Sequence, residues 1–75
     1  MIVTARYFAA LRETRGTSVE QVELPEGTTA AGAFAALFPG LALRVAYAVN
    51  QATVAPDTVL AAGDEIAFLP PLGGG

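Results

Sequence analysis

Gly63-Asp64-Glu65-Ile66-Ala67-Phe68-Leu69-Pro70-Pro71-Leu72-Gly73-Gly74-Gly75 closes the sequence, and its three pieces frame the whole chain. The run Ala62-Gly63-Asp64 is turn chemistry. Glu65 to Leu69 then alternates, Ile66 and Phe68 on one face and Glu65, Ala67 and Leu69 on the other, as a half-buried strand does. Pro70-Pro71 fixes an extended stem, and three glycines give a filament of minimal width and maximal backbone freedom. At about 3.5 Å per residue the six residues from Pro70 reach roughly 20 Å from the strand, far enough to enter another protein's cleft.

Working back from that strand, the chain reads as one α+β unit. Ile2 to Phe8 is β-branched and aromatic, with Val3, Ala5 and Tyr7 on one face and Thr4, Arg6 and Phe8 on the other. Ala9 to Arg15 has helix formers and stops at Gly16, a C-cap residue. Thr17 to Leu24 alternates again, Val22 and Leu24 opposite Gln21 and Glu23, until Pro25-Glu26-Gly27 breaks it. It is expected to run antiparallel to the first strand. Thr28 or Thr29 caps the main helix, whose stripe Ala30, Phe34, Leu37, Phe38 follows helical spacing up to Pro39-Gly40. Gly32 inside it costs about 1 kcal/mol relative to Ala, so tertiary packing must hold this helix. Val45 to Val49 is a third strand, Asn50-Gln51 a turn, and Thr53-Val54 a short extended segment. The order is strand, helical turn, strand, helix, strand, short segment, strand, with one sheet face receiving the main helix. The organisation expected is a globular domain over 1–69 and a flexible tail over 70–75.

Composition narrows the chemistry. The 75 residues include no Cys, no His and no Trp, and all four basic residues are Arg. That excludes a thiol nucleophile, a Ser–His relay, a zinc site of the N/S type and a Schiff-base lysine. The net charge of -3 disfavours nucleic-acid binding and suggests an electropositive protein partner. No apolar run approaches the roughly 20 residues of a membrane span, and the start Met1-Ile2-Val3-Thr4 lacks the pattern of a secretory leader. The expectation is a cytoplasmic protein with no membrane contact.

With side-chain chemistry largely removed, the tail is the feature left to do something. A Gly-rich terminus taken alone can be inert. Here the glycines follow a strand and a rigid stem, and the sequence given stops at Gly75, where a terminal carboxylate would be unhindered. Such a carboxylate is ionised at neutral pH and is a poor electrophile until a partner enzyme activates it.

The run Tyr7-Phe8-Ala9-Ala10-Leu11-Arg12-Glu13 with Gly16, the turn Ala48-Val49-Asn50-Gln51, and Gly63 to Pro71 ending in Gly74-Gly75 resemble the small subunits of molybdopterin synthase. The blocks span nearly the whole chain, the last being the most specific. The segment between Pro39 and Val45 is shorter than in some members, and Gly73 replaces a larger residue. The resemblance implies the β-grasp, ubiquitin-like fold: a mixed sheet packed against one main helix. It also implies that an adenylating enzyme of the ubiquitin-activating type uses ATP and Mg²⁺ to convert the Gly75 carboxylate to an acyl-adenylate. A persulfide donor then supplies sulfur to give a thiocarboxylate, and the large catalytic subunit uses it to build the dithiolene on a cyclic pyranopterin precursor. On this reading the chain is a non-catalytic subunit that binds no metal or cofactor of its own. The related thiamine-pathway sulfur carrier, a ubiquitin-like modifier, and a β-grasp interaction module with an inert tail remain as alternatives.

Gly73 and Gly74 would let the tail thread, with Pro70 and Pro71 guiding it. Alternation turns Phe8 and Leu69 away from the helix, so these two, with Leu72 on the stem, are expected at the apolar centre of a docking patch. Asp64 and Glu65 are adjacent in a strand and point to opposite faces, so they do not form an acid/base pair. Asn50 serves turn geometry, Phe34, Leu37 and Phe38 belong to the core, and Arg12 and Arg15 are expected on a solvated helix face.

Overall fold

The computed structural model describes residues 1–70. Five strands form one sheet: β1 (Ile2–Tyr7), β2 (Val19–Glu23), β3 (Ala46–Val49), β4 (Ala52–Val54) and β5 (Glu65–Leu69), with helices α1 (Ala9–Arg15) and α2 (Ala30–Leu37). The spatial order is β2-β1-β5-β3-β4. The first and last strands lie side by side and parallel, Ala5 opposite Ile66 and Tyr7 opposite Phe68, while every other pairing is antiparallel. The final strand therefore occupies the centre of the sheet, and the chain beyond Leu69 leaves from the sheet's middle.

Alternation places the core as expected. Val3, Ala5, Tyr7, Ile66 and Phe68 are all buried, and α2 covers them with Ala30, Ala33 and Phe34. Phe68 is the hub. Its ring meets Phe34, Phe38 and Tyr47 edge-on and stacks against Tyr7, arrangements that favour aromatic pairs beyond the area they bury. Leu37, expected in the core, is half-buried at its edge.

Local chemistry sets the ends of the helices. Thr29 is the N-cap of α2, and its hydroxyl accepts from the Gly32 N–H at 3.0 Å. The other first-turn donors are also met: Ala30 N–H donates to Thr58 O, Ala31 N–H to Pro56 O and Ala33 N–H to Thr29 O. The loop before β5 thus closes the open N-terminus of α2, which would otherwise leave unpaired N–H groups. Gly32 has a packing reason as well, since a Cβ there would sit 3.1 Å from the Thr29 hydroxyl that caps the helix. Gly16 ends α1 in the left-handed region, φ 77°, with its N–H donating to Arg12 O.

Strands are shorter than the alternation suggests. The second begins at Val19: Ser18 O still accepts from Tyr7 N–H, but Thr17 and Ser18 bend away, with the Thr17 hydroxyl donating to Val19 O on the free edge of the strand. The first ends at Tyr7, and Phe8 becomes the N-cap of α1. Asn50 and Gln51 form a two-residue hairpin turn, with φ of 51° and 71°, the positive pair that a type I′ turn demands.

Candidate functional site

The tail end of the sheet begins at a corner. Tyr7 is the last residue of β1 and fully buried; Phe8 is still extended, and Ala9 turns the chain into α1 with φ 51°. A left-handed alanine costs on the order of 1–2 kcal/mol. This strain sits at the step that separates an inward aromatic ring from an outward one. Phe8 is 43% exposed, as its position in the alternation requires.

Paired residues share a face of the sheet, so register identifies the outer surface. One row crosses it as Val19, Arg6, Ala67, Ala48 and Thr53. The next row toward the tail holds Leu69 and Ala46, which pair directly, and continuing the parallel register by one residue sets Phe8 level with Leu69. Both helices bury their residues in the single core cluster on the opposite face. Among the described residues, that cluster contributes nothing to this outer surface, on which Ala48, in the middle of the row, is nevertheless buried. Leu69 lies on it as expected but is half-buried, whereas Phe8 and Val19 are exposed. Pro70 follows and is exposed. Pro71, Leu72, Gly73, Gly74 and Gly75, which carry the rest of the expected site, lie outside the described residues.

Alternation at Phe8 and Leu69 does not reveal the small residues around them. Ala46, Ala48 and Ala67 leave the outer face shallow beside Phe8 and Leu69, and only the strand register brings them together. Arg6 ties the surface across two strands, its Nε donating to Glu65 Oε2 at 2.7 Å. Asp64 has the turn role expected of it. Its carboxylate accepts from Asn50 Nδ2 and from Ala61 N–H, while Asn50 Oδ1 accepts from Glu65 N–H.

Arg15 lies on an exposed helix face as expected, and there it also clasps three elements. Its Nε donates to Glu20 Oε2 at 2.8 Å and its Nη1 to Leu37 O at 3.2 Å, and its guanidinium lies over the rings of Tyr7 and Phe38. The Tyr7 hydroxyl donates to the same Glu20 oxygen at 2.6 Å. The hydrogen bond from Tyr7, with Arg15 adding to it, holds the Glu20 carboxyl below its usual range. Burial, reinforced by Glu20, pushes the Tyr7 hydroxyl well above its ordinary value. A signal for this cluster exists in the sequence. Glu20, Val22 and Leu24 share one face of the strand, and a carboxylate at a core-facing position needs a partner. The clasp fixes α1, and with it the corner that aims Phe8.

A central parallel pair, one main helix packed on one face of the sheet, an outer face that neither helix covers and a last strand followed in sequence by Pro-Pro-Leu and three glycines define a β-grasp domain of the ubiquitin-like class. The comparisons narrow that class. The ThiS family model matches residues 5–75, and the chain belongs to the ThiS family. It is 40% identical over 80 aligned positions to the molybdopterin synthase sulfur carrier subunit of Mycobacterium tuberculosis, covering 97% of this chain and 96% of that one. A protein described as molybdopterin converting factor subunit 1 in Pyrococcus furiosus superposes with a TM-score of 0.81 at 28% identity, over 96% of this chain and 99% of that one. A complex of subunits 1 and 2 of molybdopterin-converting factor from Helicobacter pylori contains the same fold, with a TM-score of 0.62 at 24% identity and full coverage of both chains. No helix among the described residues is long and apolar enough to cross a membrane.

Proposed function

We propose that this chain is the sulfur-carrier subunit of a molybdopterin synthase and that Gly75 is the residue that carries the sulfur. An adenylating enzyme of the ubiquitin-activating type would use ATP and Mg²⁺ to join the Gly75 carboxylate to AMP, releasing pyrophosphate. The terminal sulfur of a persulfide donor then displaces AMP to give an acyl disulfide; a thiol attacks the donor's sulfur, breaks the S–S bond and leaves as a disulfide with the donor, and the thiocarboxylate released is a soft nucleophile. In the large catalytic subunit it attacks the cyclic pyranopterin precursor, and two such transfers complete the dithiolene. The chain supplies the carboxylate and its delivery, and the partners supply the catalytic groups, ATP and metal.

The observation that carries this reading is the 40% identity, across nearly the full length of both chains, to a molybdopterin synthase sulfur carrier subunit. It favours the molybdopterin branch over the thiamine pathway that the same family also serves. The geometry supports delivery: the central strand ends at Leu69, with Phe8 exposed beside it on a face that neither helix covers. We infer that the large subunit docks on Phe8, Leu69 and the stem residue Leu72, with Pro70 and Pro71 directing Gly73 and Gly74 into its cleft. A chain of this fold in complex with a second subunit in Helicobacter pylori is a precedent for such an assembly.

Removal of Gly75 tests the reading. The truncated chain should unfold at the same temperature as the full one and fail to support molybdopterin synthesis in a reconstituted system. Synthesis at the normal rate by the truncated chain would overturn the mechanism.

A further inference from the structure

Positive φ among the described residues falls on Gly16, Gly27, Gly40 and Gly63, on Asn50 and Gln51 in the hairpin turn, and on Ala9. Glycine adopts that region without steric cost, and the hairpin turn demands it of its two central residues. Ala9, at φ 51°, has neither reason. It is exposed, so its methyl adds little burial to offset the strain. What forces the corner lies on both sides of it. Before it, the Tyr7 N–H donates to Ser18 O at 2.9 Å, the ring is buried and the hydroxyl donates to Glu20. After it, Leu11 is buried, and its N–H donates to Phe8 O at 3.1 Å. Arg15 then ties the end of α1 to β2 and α2. Phe8, Ala9 and Ala10 must therefore carry the chain from a strand into a helix while both flanking side chains enter one core. Phe8 stays extended, with φ -130° and ψ 152°, so the change of direction falls on Ala9.

We infer that Ala9 is a positioning residue for docking: its left-handed backbone, not its side chain, sets Phe8 outward at the level of Leu69. The inference rests on the function proposed above and adds a residue through which the docking face is set. Phe8 is exposed, so burial of its own ring does not fix its direction, and the backbone around it does. A corner with negative φ at residue 9 either swings Phe8 away from Leu69 or pulls Tyr7 and Leu11 out of the core. The second gives up buried apolar surface, so the first is the change expected. Affinity then follows the fraction of chains that hold the left-handed corner. Glycine accepts either sign of φ, asparagine tolerates the left-handed region better than alanine, β-branched valine disfavours it more, and proline forbids it. Proline is the sharpest probe because the other local rules accept it at this position. A first helical residue has no intrahelical partner for its N–H, and the extended Phe8 suits a residue before proline.

The test compares Ala9→Gly, Ala9→Asn, Ala9→Val and Ala9→Pro in the full chain. Three quantities are measured: the melting temperature, the affinity for the large subunit by calorimetry, and the nuclear Overhauser effect between the Phe8 ring and the Leu69 methyls. Ala9→Gly and Ala9→Asn should melt roughly 3–5 °C higher than wild type, bind at least as tightly and keep the Phe8–Leu69 contact. Ala9→Val and Ala9→Pro should bind about tenfold more weakly and lose that contact, while the resonances of Ile66 and Phe68 stay at their wild-type positions. If Ala9→Pro does not fold, Ala9→Val carries the comparison. A weaker affinity in Ala9→Gly would assign the effect to the methyl group and overturn the inference. Wild-type affinity in Ala9→Val, or melting temperatures that do not rise in Ala9→Gly and Ala9→Asn, would also overturn it. A Phe8→Asp variant separates the two claims. If it binds as tightly as wild type, the docking face of the proposed function fails, whereas weakened binding in Phe8→Asp with unchanged affinity across the residue 9 series refutes only the role of Ala9.

Discussion

Replacing Glu20 with Ala removes the carboxylate on which Tyr7 and Arg15 converge, and the structure sets the size of the effect. The Tyr7 hydroxyl belongs to a side chain almost wholly removed from solvent, and among the described residues it donates to Glu20 alone. A buried hydroxyl left without a partner costs about 1–3 kcal/mol. Loss of the partly exposed Arg15 pair adds no more than about 1 kcal/mol. A total near 2 kcal/mol lowers the melting temperature of a domain this size by roughly 10 °C. The decisive assay is a double-mutant cycle with Tyr7→Phe, measured by denaturant unfolding. Once the hydroxyl is gone, Glu20→Ala should cost about 1 kcal/mol or less, so the two substitutions couple by about 1–2 kcal/mol. Acid unfolding checks the same clasp. Because the folded state holds the Glu20 carboxyl below its usual range, its contribution is complete above the unfolded value near pH 4.3 and is lost as pH falls through the lowered one. Glu20→Gln should flatten that limb. Additive costs in the cycle, or an unchanged acid limb, would refute the reasoning.

Three further outcomes follow from the same geometry. Phe8→Asp should leave the melting temperature within about 2 °C, since exposed substitutions change stability little, and should weaken large-subunit binding at least a hundredfold by calorimetry; equal losses of folding and binding would put Phe8 in the core. Gln51→Gly relieves a side chain held at φ 71° and should stabilise the chain by about 0.5–1 kcal/mol, seen as a higher denaturant midpoint with an unchanged slope. Tyr7 keeps its proton in the folded state well above its ordinary value, so stability should hold up to about pH 10, where the unfolded tyrosine ionises, and fall beyond it. Tyr7→Phe should lessen that alkaline fall.

Local patterns carried much of this structure. Glu65 to Leu69, the stop at Gly16, the Thr29 cap and the Asn50-Gln51 turn were all legible, because each depends on neighbours in sequence. Alternation also set Val3, Ala5, Tyr7, Ile66 and Phe68 on the buried face. What escaped depends on which strands meet. The parallel pairing of β1 with β5, which centres the last strand and gathers Ala46, Ala48 and Ala67 beside Phe8 and Leu69, is a long-range event with no local mark. Arg15 has partners that no local pattern shows, for a related reason. Its position on a short helix resembles a solvated face until β2 presents Glu20 and α2 presents the Leu37 carbonyl. The start of β2 at Val19 goes with a local bend at Thr17 and Ser18, where the Thr17 hydroxyl donates to Val19 O.

The central claim is that Gly75 carries sulfur, and intact-protein mass spectrometry of the chain taken from cells with active sulfur-transfer machinery tests it most directly. The account predicts a species heavier by the exchange of one oxygen for sulfur, located by fragmentation to Gly75 and reversed when the thiocarboxylate is consumed by the large subunit. A chain that stays at its unmodified mass while the adenylating enzyme, ATP and a persulfide donor are all present and active would contradict it.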